Sequence, residues 1–106
     1  IDYHLQRSAL RTGLVVIHDK ALRRRVVARR LVSAAEEDEV RRATFDAIRR
    51  LCRQSGKSVA AVDWFFFTNR RRCPEMTAPN CPACPVQVLC ARQVDLFQPV
   101  FRTTAY

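Results

Sequence analysis

The sequence is poor in the residues that mark several broad protein classes. It has only 2 glycines and 5 prolines in 106 residues, which excludes collagen-like and low-complexity chains. No apolar run approaches the ~18 residues of a membrane helix. The longest covers residues 59–67, and Asp63 interrupts it. There is no signal-peptide architecture. Lysine is scarce as well: of 19 Lys and Arg residues, only Lys20 and Lys57 are lysine. What the chain does contain is a 48% hydrophobic fraction, enough to argue against a disordered tail. It also holds 5 cysteines, many for a chain this small. Short domains bury a modest share of their surface and often need a metal or disulfides as a staple. The chain begins at Ile1 and enters patterned sequence at once, so a domain cut from a longer protein is the expectation.

The formal net charge is +9, and its distribution is uneven. Residues 1–30 hold a net +6, residues 31–60 a net +1 and residues 61–106 a net +2. A second dense spot is Arg70, Arg71 and Arg72. Arginine suits planar, bidentate recognition of phosphate, so nucleic acid is a natural partner. A solvated, solubilising face explains either arginine run equally well.

The patterning is helical throughout, and no alternating strand pair occurs, so the fold expected is all-α. Asp2 is placed to cap a first helix that Gly13 ends. Asp19 can cap a second over residues 20–31, with Leu22, Val26 and Leu31 inward and Arg23, Arg24, Arg25, Arg29 and Arg30 elsewhere. Ser33, Ala34, Ala35 and Glu36 have the form of a capping box. The helix that follows carries acids at its start, arginines near its end and a stripe of Val40, Thr44, Ala47, Ile48 and Leu51. Ser55 and Gly56 end it, and Cys52 in its last turn reads as a small buried hydrophobe. Ser58 then caps a fourth helix so apolar on all sides that it should be the core helix. Beyond Asn69, four prolines break up a cysteine-rich loop. A short helix is expected over residues 85–96, then an extended apolar tail over residues 97–106 packing across the domain. The division expected is a helical region, residues 1–69, and a cysteine loop with tail, residues 70–106.

Cys73, Cys81, Cys84 and Cys90 form C-x7-C-x2-C-x5-C within eighteen residues. Four thiolates this close can converge on one inorganic centre. A disulfide network would need an oxidising compartment, and nothing signals secretion. Zinc and a four-iron cubane both take four cysteines, and spacing alone does not separate them. Cys52 falls outside the motif and is excluded as a ligand.

The constellation resembles the C-terminal iron–sulfur loop of helix-hairpin-helix DNA glycosylases, in the branch of endonuclease III and the adenine glycosylases. The usual family spacing is C-x6-C-x2-C-x5-C, one residue shorter in the first gap. Trp64 lies nine residues before Cys73, where that branch has a tryptophan on the preceding helix. The opening Ile1-Asp2-Tyr3-His4-Leu5 resembles the family's V-D-T-H-I segment, which carries its catalytic aspartate. The resemblance covers most of this chain but only the second half of a glycosylase. The hairpin and any lyase lysine lie upstream in the family. The Arg-rich stretch over residues 20–31 looks like inserted material. The gap between Cys73 and Cys81, basic in the family, has no cation here and contains Glu75.

The resemblance implies a base-excision DNA N-glycosylase, with or without lyase activity, acting on duplex DNA that holds a damaged or mismatched base. It implies that Asp2 is catalytic and that Cys73, Cys81, Cys84 and Cys90 hold a structural 4Fe-4S cluster, zinc being the alternative. His4, two positions on, is read as structural. The loop would direct cations toward phosphate, with Arg70, Arg71 and Arg72 first and Arg23, Arg24 and Arg25 second. An intracellular, cytoplasmic monomer away from membranes is the matching expectation. Two other readings stay open: a non-enzymatic four-cysteine module that binds nucleic acid, and an N-glycosidase acting on a modified nucleoside or RNA.

Overall fold

A computed structural model describes residues 2–74 and 77–100 of the chain. Among these residues the architecture is four α-helices, one short 3-10 turn and no strand. The helices are α1 (Tyr3–Thr12), α2 (Lys20–Val27), α3 (Ala34–Ser55) and α4 (Val59–Asn69), and the turn is Cys81–Ala83. No helix is long and apolar enough to cross a membrane.

The helix starts follow from local chemistry. Asp2, Asp19, Ser33 and Ser58 each stand just before a helix and accept backbone N–H groups that the first turn would otherwise leave unpaired. At α3 the box is reciprocal: Ser33 Oγ accepts from Glu36 N, and the Glu36 carboxylate accepts from Ser33 N at 2.9 Å. Gly13 and Gly56 end α1 and α3 with φ of 85° and 71°. That left-handed conformation suits a residue without a Cβ.

Two apolar clusters hold the helices together, and α1 contributes to both. Ala9 and Leu10 join Val15, Leu22, Val26, Val32, Val40 and Leu96 in one. Leu5 joins Ile48, Val62 and Phe66 in the other. α1 thus packs against α3 and α4, which also pack against each other. A buried polar link reinforces the α1–α3 contact. Gln6 Nε2 donates to Glu37 Oε1 at 3.0 Å, and Arg41 pairs with the same carboxylate at 2.7 Å. Burying Glu37 is tolerated because the charge is paired and hydrogen-bonded.

Three sequence expectations fail in instructive ways. α2 stops at Val27 instead of running to residue 31, and Leu31 is exposed. The backbone turns at Arg29, whose φ is 56°, and its guanidinium carbon lies 3.5 Å from the Phe97 ring centroid. Leu31 instead forms a parallel β-bridge with Val100, and Val32 N donates to Val100 O at 2.7 Å. The helix expected over residues 85–96 does not form; turns occupy residues 85–89. Two of its backbone N–H groups are used elsewhere. Ala91 N and Gln93 N donate to Thr12 O and Arg11 O, closing the open carbonyl end of α1. Finally, α4 is not buried all round. Val62, Phe66 and Asn69 face inward, while Val59, Trp64 and Phe67 are exposed.

The tail does pack across the domain as far as it is described. Leu96, Phe97 and Pro99 are buried. Arg7 reaches Gln98 at 3.3 Å. The guanidinium groups of Arg11 and Arg29 both lie over the Phe97 ring. Residues 101–106 of the expected tail, with Ile1 and Glu75, lie outside the described residues.

Candidate functional site

The cysteine loop folds back over one end of the α1–α4 pair. α1 supplies Ser8, Arg11 and Thr12 to the floor of a cavity of about 40 Å3, and α4 supplies Phe66 and Asn69. All four cysteines of the motif line that cavity: Cys73, Cys81, Cys84 and Cys90. The sequence spacing thus converges in space. Each thiol is free and half-buried. A water molecule needs roughly 10–15 Å3 on this measure, so the space exceeds that of one small occupant. Among the described residues, however, no three His, Cys, Asp or Glu side chains stand close enough to hold one metal ion.

The cavity lining is largely apolar, but N–H groups reach three of the sulfurs. Arg11 Nη1 donates to Cys73 Sγ at 3.3 Å. Asn69 Nδ2 approaches Cys84 Sγ at 3.5 Å, and Arg92 N donates to Cys90 Sγ at 3.3 Å. N–H groups aimed at sulfur stabilise thiolate and thiolate-bound centres. Arg11 is the principal member of this set. It is 3% exposed. Its Nε donates to Leu96 O at 2.9 Å and its Nη1 to Pro74 O at 2.9 Å. It therefore joins α1, the first cysteine and the tail through one guanidinium. Arg72 also lines the cavity.

Neither Arg11 nor Asn69 was legible as a site residue in the sequence. Their partners lie 62 and 15 positions away. The available signal was weak: Arg7 and Arg11 stand four apart on one helix, and both prove buried.

Asp2 occupies the opposite end of α1. Its Oδ1 accepts from Leu5 N at 3.0 Å, and the residue is exposed. Nine residues of helix separate Asp2 from Arg11, a rise of about 14 Å. α1 is thus a strut with a carboxylate at one end and the cysteine loop at the other. His4 Nδ1 meets Arg7 Nη2 at 3.0 Å, and its ring lies 4.2 Å from that of Tyr3. These contacts suit a structural residue.

The two arginine runs differ. Arg70, Arg71 and Arg72 follow α4 immediately and are all exposed, next to the cysteine cavity. The α2 run is partly engaged inside the fold. Arg25 makes a two-pronged pair with Glu36, at 2.7 and 2.6 Å. Arg23 donates to Gln93 at 3.0 Å and lies 3.8 Å from Asp95. Arg24 is exposed. The Arg25 pair pulls the Glu36 carboxyl down to about 2, helped by the backbone bond from Ser33. The same hydrogen bond raises the Arg25 guanidinium.

No family model, no curated protein and no solved structure matches the chain.

Proposed function

We propose that the chain is the C-terminal part of a DNA base-excision N-glycosylase of the helix-hairpin-helix type, its cysteine loop ordered by a 4Fe-4S cluster. The observation that carries this reading is the convergence of Cys73, Cys81, Cys84 and Cys90 on one cavity walled by α1. α1 is the helix that begins at the candidate catalytic aspartate.

A four-thiolate site for a single zinc needs Zn–S bonds of about 2.3 Å and hence closely set sulfurs. A 4Fe-4S centre takes the same four thiolates, and metal analysis separates the two. The N–H donors at Cys73, Cys84 and Cys90 suit bound thiolates. When bound, the cluster would supply a rigid cross-link for the loop and take no part in base release.

The chain's own residues divide the work along α1. Base release breaks the bond between the sugar C1′ and the base nitrogen, and the electron pair leaves with the base. Positive charge then develops on the sugar, which a carboxylate stabilises. Water adds at C1′ and loses its proton. Asp2 suits that role, because an N-cap carboxylate accepts a backbone N–H and sits at the positive end of a helix dipole. Arg70, Arg71 and Arg72 would hold backbone phosphate, contacts that position without reading sequence. A base inside a duplex must first be flipped out of the stack.

Purified protein should be yellow-brown and contain iron and sulfide; a colourless protein with one zinc overturns the cluster. Asp2→Asn in the full protein should abolish release of damaged bases from duplex DNA while binding persists. If wild-type protein binds duplex DNA but releases no base from a panel of lesions, mismatches, RNA and modified nucleosides, the non-enzymatic binding module replaces this reading. Release from RNA or nucleosides alone would move the same chemistry to those substrates.

A further inference from the structure

α4 carries an aromatic row that the fold does not use. Its inward face, Val62, Phe66 and Asn69, lies against the second apolar cluster and the cysteine cavity. Trp64, Phe67 and Arg70 stand three residues apart on another face. The Trp64 and Phe67 rings stack, with centroids 5.8 Å apart and planes 26° apart. The Arg70 guanidinium carbon caps the row 4.2 Å from the Phe67 centroid. Trp64 is nevertheless 64% exposed and Phe67 41%. Large aromatics left in water cost the stabilisation their burial would bring. Here the two rings also stack on one another.

We propose that Trp64, Phe67 and Arg70 form a stacking platform for unpaired nucleobases, with Arg71 and Arg72 holding the adjoining phosphates. The charge on this face decides the occupant. Three successive exposed arginines meet the row at its C-terminal end, and Asp63 is the one acid of α4. An apolar protein surface docking here would strip water from those cations without pairing them. A single strand offers both parts of the match, because every base has a π-face and every linkage a phosphate. Arginine over an aromatic ring extends the platform through cation–π attraction. Unpaired bases are the relevant class, since in a duplex both faces of an interior base are already stacked. The inference rests on the arginine run contacting nucleic-acid phosphate, as proposed above. It adds that the strand beside that run is single.

Trp64 is the only tryptophan of the 106 residues, so its fluorescence reports the stack directly. The chain is titrated with a short oligothymidylate, with a blunt duplex and with inorganic polyphosphate. The expected result is saturable quenching by oligothymidylate, with polyphosphate binding but leaving the emission unchanged. Trp64→Leu, which keeps an apolar side chain but removes the stack, should weaken single-strand binding on the order of tenfold. Its duplex affinity and circular dichroism should match wild type. Arg70→Gln should weaken single-strand binding and flatten its salt dependence. Three results overturn the platform: no quenching by oligothymidylate, equal quenching by polyphosphate, or shielding of Trp64 from acrylamide in the free chain. Duplex binding without single-strand quenching removes the platform and leaves the proposed function standing. Absence of all nucleic-acid binding removes both.

Discussion

Glu36 shows how one side chain serves two ends of the fold. Its carboxylate closes the α3 capping box and anchors Arg25 of α2. Its folded value, about 2, lies below the ordinary 4.5, so the ionised form favours the folded state. That contribution is complete above about pH 4.5 and is lost as pH falls through about 2. Glu36→Gln should therefore melt below wild type at neutral pH, and the gap should close as the acid limb is approached. Thermal melts across that range check it. Asp2 presents the complementary case. Asparagine caps a helix about as well as aspartate, within a few tenths of a kcal/mol. Asp2→Asn should leave the melting temperature unchanged while removing the negative charge, so loss of base release would report chemistry and not folding. Both aspartate and capping box were readable in the sequence, because a cap acts within three residues of itself. The commitment of Arg25 to Glu36 was not, since it joins two helices.

α1 owes its position to how it ends. Gly13 and Gly56 both adopt left-handed backbone, but their surroundings differ. A Cβ on Gly13 would lie 2.8 Å from Ala91 Cβ, whereas nothing stands within 4 Å of one on Gly56. Gly56→Ala should cost about 1–2 kcal/mol, the backbone strain alone. Gly13→Ala should cost more and shift the loop around Cys90, lowering stability and, for the proposed cluster, bound iron. Urea melts and iron analysis of the two variants test this contrast. The sequence marked both glycines as helix ends. Only packing distinguishes them, because the neighbour of Gly13 comes from the cysteine loop 78 positions on. The same loop explains the missing helix over residues 85–96. Its N–H groups cap α1 from outside, and a helix would have turned two of them inward on itself.

Arg11 ties α1, the first cysteine and the tail together. It bonds Cys73, Pro74 and Leu96 and lies over the Phe97 ring, as Arg29 does. Arg11→Gln is too short to keep these partners and would leave buried carbonyls unpaired. A loss of about 2–4 kcal/mol is expected, read by urea denaturation. For the proposed cluster, lower iron content is also expected, since Cys73 loses its donor. A surface arginine such as Arg50 should give neither change.

By itself the sequence determined the four helices, their caps, the all-α class and the cysteine spacing. Each of these rests on interactions within a few residues or on composition. It overran α2, where Arg29 meets Phe97, expected a helix over residues 85–96 that does not form, and expected burial on a face of α4 that is exposed. Tertiary structure alone decided that the four thiols share a cavity with a buried guanidinium, and that Trp64 stands in water. Those outcomes depend on contacts between residues far apart in sequence. No local pattern specifies them, and only the closed packing of α1, α4 and the loop brings them together.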